Sequence, residues 1–290
     1  MSEIKKQNRD FSSLMMSVMK DMNDFRKGSV NSGVTSGFRK IDWFIKGFKE
    51  GTLNVIASRP TVGKTALAIS IATNMAFGIG GNPIPIGFFS FEMNGKALVQ
   101  RILSNRTHIS LKQIRYGDVD VEGSNQLMDI AVDMQSLSRS IRICDTPGLG
   151  LKNLKLEIKQ MVRDYGVKVV FIDGIDLVAC KSSVLPRREM INETARDLKI
   201  IAREMGISII CLCPLSKECD GDRAPILEDL KESGMIERYS DLVILIGFFT
   251  NESDKNMRKI IVAKNRDGIT GAFNLRIDES CCCFVEEQMI

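Results

Sequence analysis

The chain has 290 residues, 44% hydrophobic and 26% charged, with 40 Lys and Arg against 36 Asp and Glu for a formal net charge of +4. This is ordinary globular composition, long enough for one large α/β domain plus an appendage, and the mild positive charge permits an anionic partner without demonstrating one. No run approaches roughly 18 uninterrupted apolar residues and Met1 to Asp10 is polar, so neither a membrane span nor a secretion signal is indicated, and the expectation is a cytoplasmic protein.

In chain order, Phe11, Leu14, Met15, Val18, Met19, Met22 and Phe25 recur at helical spacing and predict an amphipathic helix with one apolar stripe. Such a helix either packs on its own domain or docks on another chain. The polar, Gly- and Ser-containing stretch from Lys27 to Gly37 separates it from the body, which predicts an appendage over residues 1–32 and a single domain over 33–290.

The most informative stretch runs from Leu53 to Thr65. An apolar strand enters a tight turn, Ser58-Arg59-Pro60-Thr61-Val62-Gly63, and leaves it as Lys64-Thr65-Ala66 at the head of a helical run. This is the pattern of a phosphate-binding loop. Backbone N–H groups and the helix N-terminus wrap a polyphosphate, Lys64 reaches the β- and γ-phosphates, and Thr65 places its hydroxyl on Mg²⁺. The strict pattern has glycine where this chain has Ser58, but the strand before and the Ala66-Leu67-Ala68-Ile69 run after supply the context the loop requires. Binding and hydrolysis of a nucleoside triphosphate follow as the expected chemistry.

Further apolar runs, Ile86–Phe91, Val167–Ile172, Ile207–Leu212, Leu242–Ile246 and Ile260–Ala263, alternate with helical patterns in the first part of the body and predict a mostly parallel sheet flanked by helices. Arg258 to Glu286 reads as antiparallel strands around turns at Asp267-Gly268 and Thr270-Gly271. Asp173 ends one strand run and is the candidate Mg²⁺ carboxylate; an aspartate there is otherwise a turn former, and the company of Lys64 and Thr65 favours the metal role. Glu92 follows another strand, where it either activates water near the γ-phosphate or starts the next helix as a surface residue. The eight cysteines include no Cys-x-x-Cys pair, and the single histidine, His108, is distant in sequence from them and shows no acid or cysteine neighbour. They read as reduced structural thiols rather than a zinc site. Trp43 and Phe44 read as core or nucleotide-adjacent packing.

Taken together, Gly33-Val34-Thr35-Ser36-Gly37-Phe38 with Asp42, the loop Ala57–Thr65, Phe89-Ser90-Phe91-Glu92-Met93, Asp145-Thr146-Pro147-Gly148, Val170-Phe171-Ile172-Asp173, Arg187-Arg188-Glu189, Asp229-Leu230-Lys231-Glu232-Ser233-Gly234 and Lys264-Asn265-Arg266-Asp267-Gly268 resemble the C-terminal motor domain of DnaB-type replicative helicases over roughly residues 33 to 286. The resemblance implies a RecA-like P-loop NTPase fold, ATP and Mg²⁺ as ligands, and a homo-oligomer, a hexamer, ringed around single-stranded DNA. It implies that Lys64 and Thr65 contact phosphate and Mg²⁺, that Glu92 is the catalytic base and that Asp173 is the Walker B carboxylate. It further implies that Lys264 and Arg266 reach a neighbour's site, and that Lys231, Glu232 and Gly234 belong to a DNA-facing loop. From the residues alone that loop is equally a helix cap with a solvated charge cluster. The family's large N-terminal domain has no counterpart here; the amphipathic helix corresponds to the linker helix that packs on the next subunit, and a helicase loader or primase would be further partners.

Two departures concern coupling. Pro214 stands where the family usually has a γ-phosphate-sensing glutamine, and proline has neither an amide side chain nor a backbone donor. Gly247-Phe248-Phe249 replaces a polar Tyr-Arg-Asp-like stretch. The principal expectation is an ATP-dependent DNA helicase motor. The alternatives are a nucleotide-switched regulator or loader of a replicative helicase and, sharing the fold but not the Asp-Leu-Lys-Glu-Ser-Gly loop, a recombination mediator.

Overall fold

The computed structural model describes residues 10–26, 33–136, 141–179, 187–215, 223–248 and 254–286. In chain order the elements are α1 (Phe11–Arg26), α2 (Arg39–Ile45), β1 (Leu53–Ser58), α3 (Lys64–Phe77), β2 (Ile86–Ser90), α4 (Gly95–Thr107), α5 (Leu111–Tyr116), α6 (Val121–Ser136), β3 (Ile141–Cys144), α7 (Leu151–Tyr165), β4 (Val169–Asp173), α8 (Ile175–Ala179), α9 (Arg187–Met205), β5 (Ser208–Pro214), a 3₁₀ helix (Leu227–Ser233), α10 (Gly234–Tyr239), β6 (Leu242–Phe248), β7 (Met257–Asn265), β8 (Gly271–Asp278) and β9 (Cys283–Val285).

The strands form one nine-stranded sheet in the order β3-β2-β4-β5-β1-β6-β7-β8-β9. Every pairing from β3 through β6 is parallel, and β6 to β9 continue as an antiparallel extension. Parallel strands covered on both faces read as unbroken apolar runs, and β1, β2 and β4 are buried at every position. Successive side chains serve opposite layers. Ile56, Phe88, Phe171 and Ile244 pack with α3 and α4 on one face, while Val55, Ala57, Phe89, Ile172 and Leu245 pack with α7 and α9 on the other. Phe88 and Phe171 stack across β2 and β4 with ring centroids 5.5 Å apart.

One buried acid fastens the edge of the sheet where the parallel strands begin. Asp241, just before β6, accepts the β1 backbone N–H of Leu53 at 2.8 Å, the Lys199 ammonium at 2.6 Å and a guanidinium nitrogen of Arg266 at 3.2 Å. The first residue of β1, the long helix α9 and the end of β7 are thereby joined at one carboxylate.

The expected fold class is borne out. The structure also adds β3, a half-buried edge strand that the apolar runs did not reveal. Gly271 opens β8 opposite Val262, so Thr270-Gly271 is not a second turn; a single connection joins β7 to β8. Trp43 is 58% exposed, which corrects its reading as core, whereas Phe44 stacks on Phe273 at 5.4 Å. α1 has the expected stripe: Phe11, Leu14, Met15, Val18, Met19 and Met22 are all between 43% and 77% exposed, while the Phe25 side chain lies outside the described residues. No described helix is long and apolar enough to cross a membrane.

Candidate nucleotide site

Because β1, β2, β4, β5 and β6 run parallel, their carboxyl ends open on one edge of the sheet, where ligands of open α/β folds bind. That edge holds a cavity of about 650 Å³ lined by the loop Ser58–Ala66 except Val62, together with Glu92, Arg101, Pro214, Phe248, Arg258, Ile277, Glu279 and Cys282. The loop's tight path rests on two residues in the left-handed region, Thr61 at φ 66° and Gly63 at φ 122°. A Cβ on Gly63 would lie 3.1 Å from both the Ile277 and Phe284 side chains, so glycine is required by conformation and by space. α3 begins at the next residue and aims its N-terminus into the cavity mouth.

Three side chains from three strand ends meet at Lys64. Its ammonium lies 3.7 Å from Glu92 Oε1 and 3.7 Å from Asp173 Oδ1, and Thr65 donates its hydroxyl to Asp173 Oδ2 at 3.1 Å. Asp173 has no solvent exposure, and burial raises its pKa to about 6 despite the opposing charge of Lys64. Its Oδ1 accepts no hydrogen bond among the described residues. A fully buried carboxylate oxygen without a donor, next to a threonine hydroxyl at the head of a phosphate-binding helix, fits a hard divalent cation such as Mg²⁺. Glu92 is nearly half exposed and is free of the sheet, as a group that meets solvent and substrate must be.

Pro214, the last residue of β5, pairs in register with Ser58 and lines the cavity, so the residue in the sensor position does face the phosphate loop. Lys264 and Arg266 stand elsewhere. The antiparallel β7 carries them to the opposite edge of the sheet, where Lys264 donates to the Glu237 carbonyl at 2.5 Å and Arg266 to the Arg238 carbonyl at 2.7 Å as well as to Asp241. The six residues of β1 separate that edge from Ser58, about 20 Å of strand, so neither side chain reaches its own chain's cavity. Lys231, Glu232 and Gly234 fall in the 3₁₀ helix and the first residue of α10; their side chains lie outside the described residues.

Arg258 is a residue of the site that sequence reasoning missed. It opens β7 directly opposite Phe248, is only 3% exposed, and lies with its guanidinium 5.1 Å from the centre of the Phe248 ring. Its Nε donates to the Val62 carbonyl at 3.1 Å and its Nη2 to Glu279 Oε1 at 2.7 Å. A buried arginine thus ties the phosphate loop to the C-terminal hairpin. An arginine in an alternating strand gave no signal of this; the departure at Gly247-Phe248-Phe249 was the only pointer to that wall of the cavity.

The phosphate loop after the central strand, the buried acid two strands away and the glutamate beyond it define a P-loop NTPase of RecA-like form. The family model described as the DnaB-like helicase C terminal domain matches residues 33–286, and the chain belongs to that family. The replicative DNA helicase DnaC of Bacillus subtilis (strain 168) is 34% identical over 258 residues, which is 86% of this chain and 55% of that protein. A solved structure of an isolated ATPase domain superposes with a TM-score of 0.84 at 28% identity, covering 96% of this chain and 100% of that one. A DnaB-like replicative helicase, solved in a study of its interactions with primase, superposes with a TM-score of 0.84 at 28% identity over 99% of this chain and 69% of its own. The chain spans about half the length of the curated relatives it matches.

The raised Asp173 pKa carries a stability consequence. A carboxyl whose pKa rises on folding holds its proton in the native state after the unfolded chain has released it, so stability falls as pH climbs from about 4 to about 6 and stays lower above that. Asp173→Asn should therefore stabilise the ligand-free protein at neutral pH by on the order of 2 kcal/mol, and this gain should shrink as pH falls towards 4. Urea unfolding across that range measures it. A variant less stable than wild type at neutral pH would show that the Lys64 and Thr65 contacts outweigh the burial of the charge.

Proposed function

We propose that the chain is the motor of an ATP-dependent DNA helicase that assembles into a ring, a hexamer, on single-stranded DNA and separates duplex during replication. Residues 33–290 would be the motor and residues 1–32 the docking arm. The observation that carries this reading is the division of the catalytic set between two edges of one sheet. Lys64, Thr65, Glu92 and Asp173 share a cavity, while Lys264 and Arg266 sit where only another subunit's nucleotide can meet them.

Each group has a role set by its position. The N–H groups of the loop and of the first turn of α3 wrap the phosphates, and Lys64 exchanges its two carboxylate neighbours for the β- and γ-oxygens. Thr65 and Asp173 would hold Mg²⁺, which supplies neutralisation of charge on those oxygens when bound. Glu92 orients the attacking water and takes its proton. Arg266 and Lys264 from the adjoining subunit face the charge that develops on the transferring phosphoryl group. Lys231, Glu232 and Gly234 would follow the DNA backbone, giving affinity and salt dependence rather than sequence choice. The apolar stripe of α1, exposed along its length, would dock on the next subunit. A loader or primase would bind the assembled ring, and the site of action would be the bacterial cytoplasm. Pro214 in the cavity wall favours the alternative of a nucleotide-switched regulator, but it removes one sensing contact and leaves every hydrolytic group in place.

Three measurements test this reading. ATP turnover should rise with single-stranded DNA, and Glu92→Gln should bind nucleotide yet hydrolyse it about 10²- to 10⁴-fold more slowly; undiminished turnover would remove Glu92 from the mechanism. Deleting residues 1 to 30 should leave a folded protein that sediments as a monomer, because burying apolar side chains contributes roughly 1.5–3 kcal/mol each before ordering costs; an unchanged ring would assign α1 to its own domain. Arg266→Ala should lose roughly 10³- to 10⁵-fold in turnover while still binding ATP. Mixed with Lys64→Ala under conditions of subunit exchange, it should regain partial activity at interfaces that combine an intact loop with an intact arginine. Mixed rings that stay inactive at every ratio, while mixing with wild type reduces activity only in proportion, would exclude a shared site.

A further inference from the structure

Behind the wall of the nucleotide cavity, three side chains from distant parts of the chain converge. His108 caps the end of α4, Asp278 ends β8, and Cys281 lies in the turn before β9; their ligand atoms all fall within 4.8 Å of one another. The expectation that His108 has no acid or cysteine neighbour is thus corrected by the fold. The turn is preformed. Asp278 Oδ1 accepts the Ser280 N–H at 2.9 Å, the Ser280 hydroxyl at 2.6 Å and the Cys281 N–H at 3.3 Å, so Oδ2 carries none of these bonds. The first residue of α5 donates its N–H to the Ser280 carbonyl at 2.9 Å and holds the turn against the α4–α5 corner.

We propose that His108, Asp278 and Cys281 form a binding site for Zn²⁺, with solvent as the fourth ligand. The donor set is an imidazole nitrogen, a carboxylate oxygen and a thiolate sulfur, which suits a borderline divalent ion and not Mg²⁺, whose partners are oxygens. Asp278 and Cys281 are separated by two residues in one turn, the spacing with which paired ligands of zinc sites enclose the ion. Tetrahedral zinc places its ligands about 3.5 Å apart, and His108, on the exposed side of the cluster, closes the remaining gap by a small rotation. Burial keeps the Cys281 thiol protonated when no cation is near. Coordination replaces that proton, which passes to solvent, with a sulfur–zinc bond.

The consequence would be mechanical. The same turn carries Glu279, the partner of Arg258, and Cys282, which lines the cavity, while Ile277 and Phe284 on either side of it abut Gly63. An ion here would pin the C-terminal hairpin to α4 and so stiffen one wall of the phosphate loop. None of the ligands belongs to the set assigned to ATP and Mg²⁺, so the test is independent of hydrolysis.

The full chain, stripped of metal by chelation and dialysis, is titrated with Zn²⁺ alone in a calorimeter and then with Co²⁺ as a spectroscopic stand-in. One zinc per chain, a rise in melting temperature with zinc, and a thiolate-to-cobalt charge-transfer band are expected. Cys281→Ser should abolish the band, and His108→Gly should weaken zinc binding by at least about tenfold. The glycine variant is chosen because His108 has φ 57°, a conformation that glycine adopts more easily, so the fold is retained and circular dichroism verifies it. Cys282→Ser should bind zinc as wild type does. Absence of zinc binding, a cobalt spectrum without the thiolate band, or equal zinc affinity in the folded His108→Gly protein would overturn the assignment.

Discussion

The arrangement depends on a carboxylate with no access to water, Asp173, set 3.7 Å from the ammonium of Lys64. Burying a charge is costly unless it is paired, and here the pairing is incomplete: one oxygen accepts the Thr65 hydroxyl and the other accepts no hydrogen bond from any described residue. The ligand-free protein therefore holds its acid in a disfavoured state, with a pKa near 6. A group kept in that condition by a sheet buried on both faces is poised for a ligand that brings positive charge. The same low-dielectric surroundings that penalise the empty site would strengthen the interaction with a cation once it arrived. Stability is lower where chemistry is intended, a familiar trade in functional sites.

Holding that geometry requires the phosphate loop to keep its path, and the C-terminal hairpin supplies much of the restraint. Ile277 and Phe284 leave no room for a side chain at Gly63, Ser70 of α3 accepts the Phe284 N–H at 3.0 Å, and Arg258 holds the Val62 carbonyl from the other side. The antiparallel extension of the sheet is thus a clamp on the loop. It occupies the side of β6 away from β1, so it closes the cavity laterally without covering the strand ends through which nucleotide must enter.

The parts of this design that were legible in the sequence are those where a local pattern forces the structure. Continuous apolar runs declared the buried parallel strands, and Gly63-Lys64-Thr65 after such a run declared the loop. β3 escaped because its four residues are half-buried and include Arg142, whose guanidinium stacks 3.7 Å from the Tyr165 ring centre, so no apolar run marks it. Trp43 was assigned to the interior on hydrophobicity alone, whereas it lies on the outer side of the short helix α2, edge-on to Phe44 at 4.8 Å and with Lys46 5.7 Å from its ring centre. Arg258 and the His108 cluster were hidden for a different reason. Each depends on residues far apart in sequence that only the sheet order brings together, and neither leaves a periodic trace.

The sheet order also explains why oligomer formation is tied to chemistry in this reading. β7 runs antiparallel to the strands that build the cavity, so residues at its start, such as Arg258, face the chain's own nucleotide site, while residues at its end are delivered to the opposite edge. Arg266 is already ordered there by Asp241, the acid that also fastens β1 and α9. A finger held by the same carboxylate that anchors the central strand is coupled to the position of its own phosphate loop through the body of β1. In a head-to-tail ring, a shift of one chain's loop on binding nucleotide would be felt at the finger it presents to the next chain, passed along a strand too stiff to absorb the displacement.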